Sequence, residues 1–349
     1  MRRPTHQSSP FACRLLDLAV RHAAAWVERH RLLCALVAGV CVAAIAYRNF
    51  AGHDWLAMDF TWPWRGARYL LAGQNPYHLI APEGPYPFSD WLYYPLPALI
   101  VAAPLSFLPA EWAGALFSGL SSALLAYAVA DKPRYWPLFA SGAFWYSIQA
   151  GQWAPLMMAA VLIPGLGFLL ACKPSIGLAL ALWNDHWRPL LVTLAAMTAF
   201  CVLSLPILPS WPLDFLRSAV RMHSHPAAVA VFPGVLLLAV AVRWRQREAR
   251  LLLALALVPQ QLNFYDQLPL FLLARNPKEG LYLAACTWIA RLGWHFASRS
   301  LPALSYERAQ AAIPWVMWCV YVPALALLIW QALRERAPIR YAHSHQPEM

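Results

Sequence analysis

MDFTWPWRGARYLLAGQNPY occupies residues 58–77 and LYYPLPALIVAAPLSFLP occupies residues 92–109. Together with the proline-rich segment between them, they form the longest run that is neither continuously apolar nor simply basic. This run carries several of the few carboxylates of the chain, Asp59 among them. A polar insert that prolines interrupt, in an otherwise apolar chain, predicts that the functional site and its catalytic acid lie in this stretch.

Local signals divide the insert into two parts. A short helix is predicted from Trp62 to Ala72, with Thr61 as its N-cap and Gly73 as its C-terminal stop. Eight prolines between Pro76 and Pro109 exclude a continuous helix after that. The apolar run 96–108 therefore predicts a re-entrant or surface-lying segment rather than a full membrane span.

The composition indicates a polytopic membrane protein. The 349 residues are 60% hydrophobic and only 12% charged, whereas about a quarter of the residues of a soluble domain are charged. Most apolar segments are shorter than the ~20 residues of an untilted span, and 30 prolines interrupt them. We therefore predict an all-α membrane protein with broken helices around a cavity, which is typical of a catalyst or a transporter.

The basic residues are best interpreted as topology signals. Residues 1–31 form a basic N-terminal segment lying on the cytoplasmic face, residues 32–333 form the transmembrane domain, and residues 334–349 form a basic cytoplasmic tail. Residues 49–109 comprise the first external loop and the re-entrant segment. Membrane spans are predicted at residues 32–47, 111–130 and 135–150, and the region from residue 281 onward is ambiguous. About two-thirds of the 27 lysines and arginines then lie inside, as the positive-inside rule requires, with both termini cytoplasmic and ten to twelve crossings. The net charge of +11 is accounted for in this way, and no nucleic-acid partner is predicted.

Two further features limit the possible functions. The seven cysteines show no CxxC spacing, so they predict neither a disulfide framework nor a metal site. The sequence has no glycine-rich phosphate loop and no nucleotide-sugar signature.

Several blocks occur in an order that resembles a known enzyme family. After Asp59-Phe60 come AGQNPY (72–77), YYPLPALIVAAPLSFLP (93–109), GQWAPL (151–156) and GLGFLLACKPSIGLAL (165–180), with a looser echo in VPQQLNFYDQLPLFLL (258–273). Together they are similar to glycosyltransferase family 87, the polyprenyl-phosphate-mannose-dependent mannosyltransferases with the GT-C fold. The resemblance implies a GT-C-like bundle that transfers a hexose, with mannose the expected sugar, from a polyprenyl-phosphate donor to a cell-envelope glycan or glycolipid.

An enzyme of this kind needs one carboxylate to deprotonate the acceptor hydroxyl. The resemblance places the family's catalytic acid at Asp59, and Asp54 is the rival in the same loop. Asp59 could instead cap the following helix or be an ordinary solvated loop acid. The donor phosphate needs a cation, and Lys173 within an apolar hairpin could bind it or could reach a nearby membrane interface.

The remaining candidates have open roles. Arg217 and Arg221, on one face of an external helix, form an external basic patch with His223 and His225 that could hold the donor phosphate or meet anionic headgroups. Asp266 could contact the acceptor sugar or pair with a cation. Further acceptor or sugar contacts are predicted for Trp62, Trp64, Arg65, Tyr77 and Gln152. Tyr77 and Gln152 could instead shape the turns in which they lie. No metal site is predicted, although a divalent cation is compatible with the chemistry.

Two other function classes fit part of the pattern. Broken helices and an intramembrane lysine also fit a lipid or sugar transporter or flippase of the cell envelope, although no internal repeat is visible. A non-catalytic assembly partner of an envelope complex is the third reading. The acid-bearing external loop favours the enzyme, which would act at the outer face of the plasma (inner) membrane.

Overall fold

The computed structural model describes residues 20, 22–52, 56–82, 90–221, 225–302 and 305–342, with side chains to residue 335. Within these residues the fold is all-helical, and one isolated bridge between Ala227 and Pro259 is the only β pairing. Most of the predicted basic segment 1–31 lies outside the described residues. Residues 22–29 are helical and lead directly towards the first long helix.

The α-helices, numbered in chain order, are these: α1 Arg31–Ala51, α2 Thr61–Leu71, α3 Pro76–Leu79, α4 Leu96–Ala102, α5 Ala110–Val129, α6 Gly142–Gln149, α7 Ala154–Leu162, α8 Pro174–Ala181, α9 Trp187–Ser204, α10 Trp211–Arg221, α11 Arg247–Leu257, α12 Pro277–Ala297, α13 Tyr306–Gln310, α14 Ile313–Val316 and α15 Val322–Ala342. A π-helical turn, Met317–Tyr321, joins the last two. The 3₁₀ segments are Met58–Phe60, Ala103–Leu105, Pro133–Ala140, Gly167–Cys172, Ala228–Ala230, Gly234–Arg243 and Phe264–Leu273.

Among the residues that the structure describes, four helical stretches are long and apolar enough to cross a membrane: Arg31–Ala51, Ala110–Val129, Trp187–Ser204 and Tyr306–Glu335. They are compatible with a membrane protein, as the composition predicted. The other described helices are shorter or more polar. The number of ten to twelve crossings stays a prediction.

The first two long helices pack closely because both carry small residues at their contact. A Cβ on Gly39 of α1 would lie 2.8 Å from the Cβ of Ala123 and 3.0 Å from the Gly119 carbonyl oxygen of α5. A Cβ on Gly119 would lie 2.7 Å from the Cβ of Ala43. Close approach through small residues is the usual way in which apolar helices associate without a hydrophobic driving force. The α1–α5 pair forms one wall of the core.

The predicted helix of the insert is present, but its start differs from the prediction. Thr61 is the first residue of α2 and not its N-cap, and its hydroxyl accepts a hydrogen bond from the Ala57 N–H at 3.0 Å. The threonine closes the preceding turn instead of capping the helix that follows it. The stop is confirmed, since Gly73 has φ +71° directly after α2.

Other predicted segments are more broken than expected. The run 135–150 is not one helix, because extended Ser141 separates Pro133–Ala140 from α6 and its side chain accepts from the Phe144 N–H. The run 96–108 forms α4 and a 3₁₀ turn, and the inner face of α4 is buried in the protein. Of the region 281–312, which is ambiguous in the sequence, residues 281–297 belong to the 21-residue helix α12.

Candidate functional site

Asp59 lies in a strained turn between α1 and α2. Leu56 and Met58 adopt left-handed backbone conformations, with φ of 56° and 52°, which non-glycine residues rarely adopt. The Asp59 N–H donates to the Ala150 carbonyl at 3.1 Å, which holds the turn against the chain that follows α6. Strain of this kind, about 1–3 kcal/mol per residue, is maintained where the surrounding structure demands it and is common at functional sites.

Gly151 brings the second segment of the site into contact with this turn. It has φ +61°, and a Cβ on it would lie 2.4 Å from the Ala57 carbonyl oxygen. Only glycine fits both the backbone conformation and the space. Gln152, the next residue, is thereby placed beside the Asp59 carboxylate.

Four side chains form a continuous polar chain. Gln152 donates through Nε2 to Asp59 Oδ2, and its Oε1 accepts from Lys173 Nζ at 3.0 Å. Lys173 Nζ also donates to Asp266 Oδ1 at 2.7 Å. Gln152 and Asp266 are buried, and the Lys173 side chain is 15% exposed. One cation thus serves two carboxylates, directly at Asp266 and through an amide at Asp59.

A break between two short helical segments positions Lys173. The 3₁₀ segment Gly167–Cys172 ends before it, α8 begins after it at Pro174, and Lys173 itself is non-helical with φ −139° and ψ 80°. The break turns the side chain across the Tyr265 ring, with Nζ 5.1 Å from the ring centroid. A cation over an aromatic face is stabilised there by the negative face of the ring.

A cavity of about 190 Å³ lies over this polar chain. Its walls combine Asp59, Lys173 and Asp266 with aromatic and amide side chains from distant parts of the sequence. Among the lining residues are Tyr93, Tyr94, Phe215, Ala219, His225, Gln260, Gln261 and Tyr265. Such a small polar pocket, with carboxylates, a cation and aromatic rings, can accommodate a sugar or phosphate group.

Burial among these groups raises the pKa of Asp59 to about 7. The loss of solvent around the carboxyl is the largest cause, Lys173 opposes it, and the negative charge of Asp266 adds to it. Asp59 is therefore about half ionised at neutral pH, whereas an ordinary aspartate is fully ionised. A carboxylate with a pKa near the working pH is suited to act as a general base.

A second, apolar groove of about 490 Å³ adjoins the polar cavity. It runs between α8, α9 and α10, and its wall includes Leu178, Met197 and Cys201. Pro95, Pro174 and Phe215 line both the groove and the cavity. A ligand with a polar head and a long apolar tail could occupy the two together.

The structure brings three sequence-predicted residues to Asp59, namely Lys173, Gln152 and Asp266. Asp266 pairs with Lys173, which is one of the two roles predicted for it. Asp59 does not cap α2, because the N-cap position is Phe60 and no side chain caps that helix. Asp54 lies outside the described residues.

The predicted aromatic and arginine contacts of the insert lie outside the cavity wall. Trp62 and Trp64 are buried, and Trp64 Nε1 donates to the Leu108 carbonyl at 3.1 Å, which fixes α2 against the segment after α4. The Arg65 guanidinium stacks on Tyr69 of its own helix, 5.1 Å from the ring centroid. These three side chains stabilise the insert and do not reach the cavity.

Tyr77 likewise has a structural position. Its hydroxyl donates to the Tyr94 carbonyl at 2.9 Å, and its N–H donates to Asn75 Oδ1. It therefore holds the start of α3 against the chain that carries Tyr93 and Tyr94. The turn-shaping alternative describes its contacts.

Arg217 and Arg221 lie on the wrong face of α10 to line the cavity. Phe215 and Ala219, four residues apart, face the cavity, and positions two residues further along a helix point roughly the opposite way. Arg217 is largely exposed, with Nη1 3.6 Å from Asp214, and Arg221 stacks on the Trp91 ring. Arg217 and Arg221 do lie on one face of the helix, as predicted, but that face does not line the cavity.

Sequence reasoning assigned no role to several cavity residues. Tyr93, Gln261 and Tyr265 all occur in the quoted blocks, and the Tyr265 hydroxyl donates to Gln261 Oε1 at 2.6 Å. These residues could have been identified from the amides and tyrosines that occur within an apolar run, because polar groups there are costly unless they face a cavity or a partner. His225 was noted only as part of an external basic patch, and its neighbour His223 lies outside the described residues.

The described residues contain no group of three or more histidine, cysteine, aspartate or glutamate side chains that could hold a metal ion. Of the four side chains of the polar chain, Lys173 alone is cationic, so its ammonium is the group there that could meet a phosphate.

No protein-family model, no curated protein and no solved structure matches this chain. The chemistry of the cavity and of the adjoining groove is therefore the basis on which a function can be inferred.

Proposed function

We propose that the protein is a membrane glycosyltransferase with a GT-C-like bundle of ten to twelve crossings. It transfers a hexosyl group, with mannose the expected sugar, from a polyprenyl-phosphate donor to a cell-envelope glycan or glycolipid. The active site would face the outside of the plasma membrane, with both termini cytoplasmic. The charge distribution supports this orientation, and the four apolar helices are compatible with a membrane protein.

The observation that carries the proposal is the union of a charged cavity with an apolar groove. A polyprenyl-phosphate sugar has a sugar and a phosphate at one end and a hydrocarbon chain at the other. The cavity at Asp59 and Lys173 suits the head, and the groove along α8, α9 and α10 suits the tail. The three shared residues, Pro95, Pro174 and Phe215, would surround the junction between the phosphate and the chain.

The reaction requires one displacement at the anomeric carbon. The acceptor hydroxyl oxygen forms a bond to that carbon while the bond from the carbon to the phosphate oxygen breaks. Asp59 takes the hydroxyl proton, and the polyprenyl phosphate leaves with the electron pair. The Lys173 ammonium stabilises the charge that develops on the leaving phosphate, because an opposite charge is worth more in a site sheltered from water.

Gln152 and Asp266 have supporting roles in this scheme. Gln152 holds one oxygen of Asp59 and leaves the other available for the acceptor proton. Asp266 holds the ammonium in place before the donor binds, since an unpaired buried cation would be costly. When a phosphate enters, Lys173 can share its charge between Asp266 and the donor.

The test is transfer of labelled sugar from a polyprenyl-phosphate donor by membranes that contain the protein. Asp59→Asn keeps the shape of the side chain but cannot accept the proton, so transfer should fall by about 10²–10⁴-fold. Asp185→Asn, which changes an exposed carboxylate paired with Arg247, is the matched control and should leave transfer unchanged. An active Asp59→Asn protein would remove the proposed base, and transfer from a nucleotide sugar in membranes without polyprenyl-phosphate sugar would remove the proposed donor.

A lipid or sugar transporter is the second candidate, and the break at Lys173 favours it. Discontinuous helices whose ends meet a charged group are common at transporter binding sites. Donor sequestered in sealed vesicles without any transferred product would support the transporter. Covalent product in detergent solution, where no compartment exists, would exclude transport as an explanation of the product.

A further inference from the structure

A second cavity, of about 1020 Å³, lies between α12 and α15 and is lined by a different set of residues from the cavity at Asp59. Its wall is apolar along one stretch, formed by Leu281, Tyr282, Leu327 and Trp330. Its rim is polar and includes Lys278 and Arg334. The name basic groove is used below for this cavity.

The two cations of the basic groove are available to a ligand. Within the described part of the chain, neither Lys278 nor Arg334 makes an ion pair. The Arg334 guanidinium lies 3.7 Å from the centroid of the Trp330 ring, which orients it while its edge can still donate. The rim therefore carries two positive charges without a carboxylate partner among these residues.

The carboxylates nearest to these cations are already occupied. Glu279 Oε1 accepts from Asn276 Nδ2 at 2.7 Å, and its Oε2 accepts from the Arg275 N–H at 2.7 Å and from Gln331 Nε2 at 2.8 Å. Glu279 also lines the groove, but it is buried and both of its carboxylate oxygens are engaged by these hydrogen bonds within the protein.

Glu335 is bound in a similar way. Its Oε1 pairs with Arg275 Nη1 at 2.6 Å, and its Oε2 pairs with Arg243. Glu279 and Glu335 thus have their own partners, and among the described residues Lys278 and Arg334 leave the rim of the groove positively charged.

The position of the groove along α15 matches the level at which a lipid headgroup would lie in a membrane. Arg334 lies where the apolar sequence of α15 gives way to the charged run Arg334-Glu335-Arg336, and a change of this kind is typical of the polar boundary of a membrane. Leu327 is seven residues earlier, so the apolar wall extends roughly 10 Å from the cations along the helix. An anionic headgroup at the rim would place the upper part of its acyl chains against this wall.

We propose that the basic groove binds one anionic phospholipid, with the phosphate held by Lys278 and Arg334 and an acyl chain held against Leu281, Leu327 and Trp330. Charge complementarity selects the anionic lipid, because a zwitterionic headgroup brings a positive charge to a site that is already positive. Basic pockets between apolar helices near a membrane boundary are suited to such headgroups. The site is separate from the Asp59 cavity, and the inference holds whatever reaction that cavity performs.

The experiment uses the purified full-length protein incubated with equal amounts of phosphatidylglycerol and phosphatidylcholine and then washed in detergent. Retained lipid is counted by mass spectrometry. The unmodified protein should retain about one phosphatidylglycerol and little phosphatidylcholine. In the double variant Lys278→Gln/Arg334→Gln, the amount of retained phosphatidylglycerol should fall by at least about tenfold.

The matched control, Arg188→Gln/Arg245→Gln, removes two exposed cations outside the groove and should keep the lipid. Leu281→Trp fills the apolar wall without changing any charge and should also reduce retention. Size-exclusion profiles report whether each variant is folded. If either the double variant or Leu281→Trp is misfolded, lipid retention by the other variant tests the proposal.

Three results would overturn the proposal. Equal retention of both lipids would remove the charge selectivity, and equal loss in the control variant would indicate a general basic surface. Displacement of the lipid by soluble glycerol phosphate at millimolar concentration would indicate a phosphate site that does not need the acyl chains.

Discussion

The pH dependence of transfer gives the sharpest test of the proposed base. Since the pKa of Asp59 is raised to about 7 by burial, the fraction of the protein with an ionised carboxylate is about 0.1 at pH 6 and about 0.9 at pH 8. Only the ionised form can accept the acceptor proton. The transfer rate should therefore rise about tenfold from pH 6 to pH 8.

Two variants of the polar chain should shift the rising limb of the pH–rate curve, which is the increase between pH 6 and pH 8, in opposite directions. Lys173 lowers the pKa of Asp59 by its positive charge, so Lys173→Met should move the rising limb to higher pH. Asp266 raises the same pKa by its negative charge, so Asp266→Asn should move the limb to lower pH. Asp90→Asn is the matched control. Asp90 affects the pKa of Asp59 less than Lys173 and Asp266 do, so the pH dependence of this variant should shift least.

The assay is transfer of labelled sugar to a saturating acceptor in detergent at constant ionic strength, over pH 5.5–8.5, with the protein's integrity checked at each pH. A rate that is flat across this range would contradict the reasoning, since a base with an ordinary aspartate pKa is fully ionised throughout it. Limbs that move the same way in Lys173→Met and Asp266→Asn would also contradict it, because opposite charges must have opposite effects.

Three further predictions concern the structure around the site. Gly151→Ala should cost about 1–2 kcal/mol of stability, because a residue with a Cβ is strained at the φ of +61° that Gly151 adopts. The variant should also reduce transfer, because the Cβ would lie 2.4 Å from the Ala57 carbonyl oxygen and displace the turn that carries the base. Thermal unfolding and initial rates measure the two effects, and unchanged rates would refute the role of this contact. Leu178→Trp should raise the KM for long-chain donors by narrowing the apolar groove, and a short-chain donor serves as the control that should be unaffected. Trp64→Phe should cost about 1 kcal/mol by removing the hydrogen bond to the Leu108 carbonyl while leaving kcat unchanged, and a large fall in kcat would instead place this ring at the substrate.

The helical class and the approximate positions of the long helices follow from the sequence. The predicted spans beginning near residues 32 and 111 correspond to α1 and α5 within a few residues, because an apolar run of this length leaves few alternatives to a helix. The break at Ser141 was not predicted. A hydrophobic run shows no sign of a serine that will cap a new helix until the neighbouring segments are in place.

The site divides in a similar way. Lys173 could be singled out because a charged group within apolar sequence is costly, and therefore informative, whereas Asp59 was distinguished from Asp54 by the family resemblance. Their connection through Gln152, and the pairing of Lys173 with Asp266 93 residues further along, could not be predicted from local pattern. The spacing of residues along one helix says nothing about which distant segment will lie beside it.

By itself, the sequence determined that this is an apolar, helical chain whose acid-bearing insert follows the first long helix. It also determined which face of the helix at residues 211–221 is basic. Only the tertiary structure decided that the opposite face, with Phe215 and Ala219, turns to the cavity, and that the tryptophans of the insert support the fold instead of lining the site. The physical reason is that composition and periodicity reflect the cost of exposing each side chain, whereas the cavity is formed by packing between segments far apart in the chain.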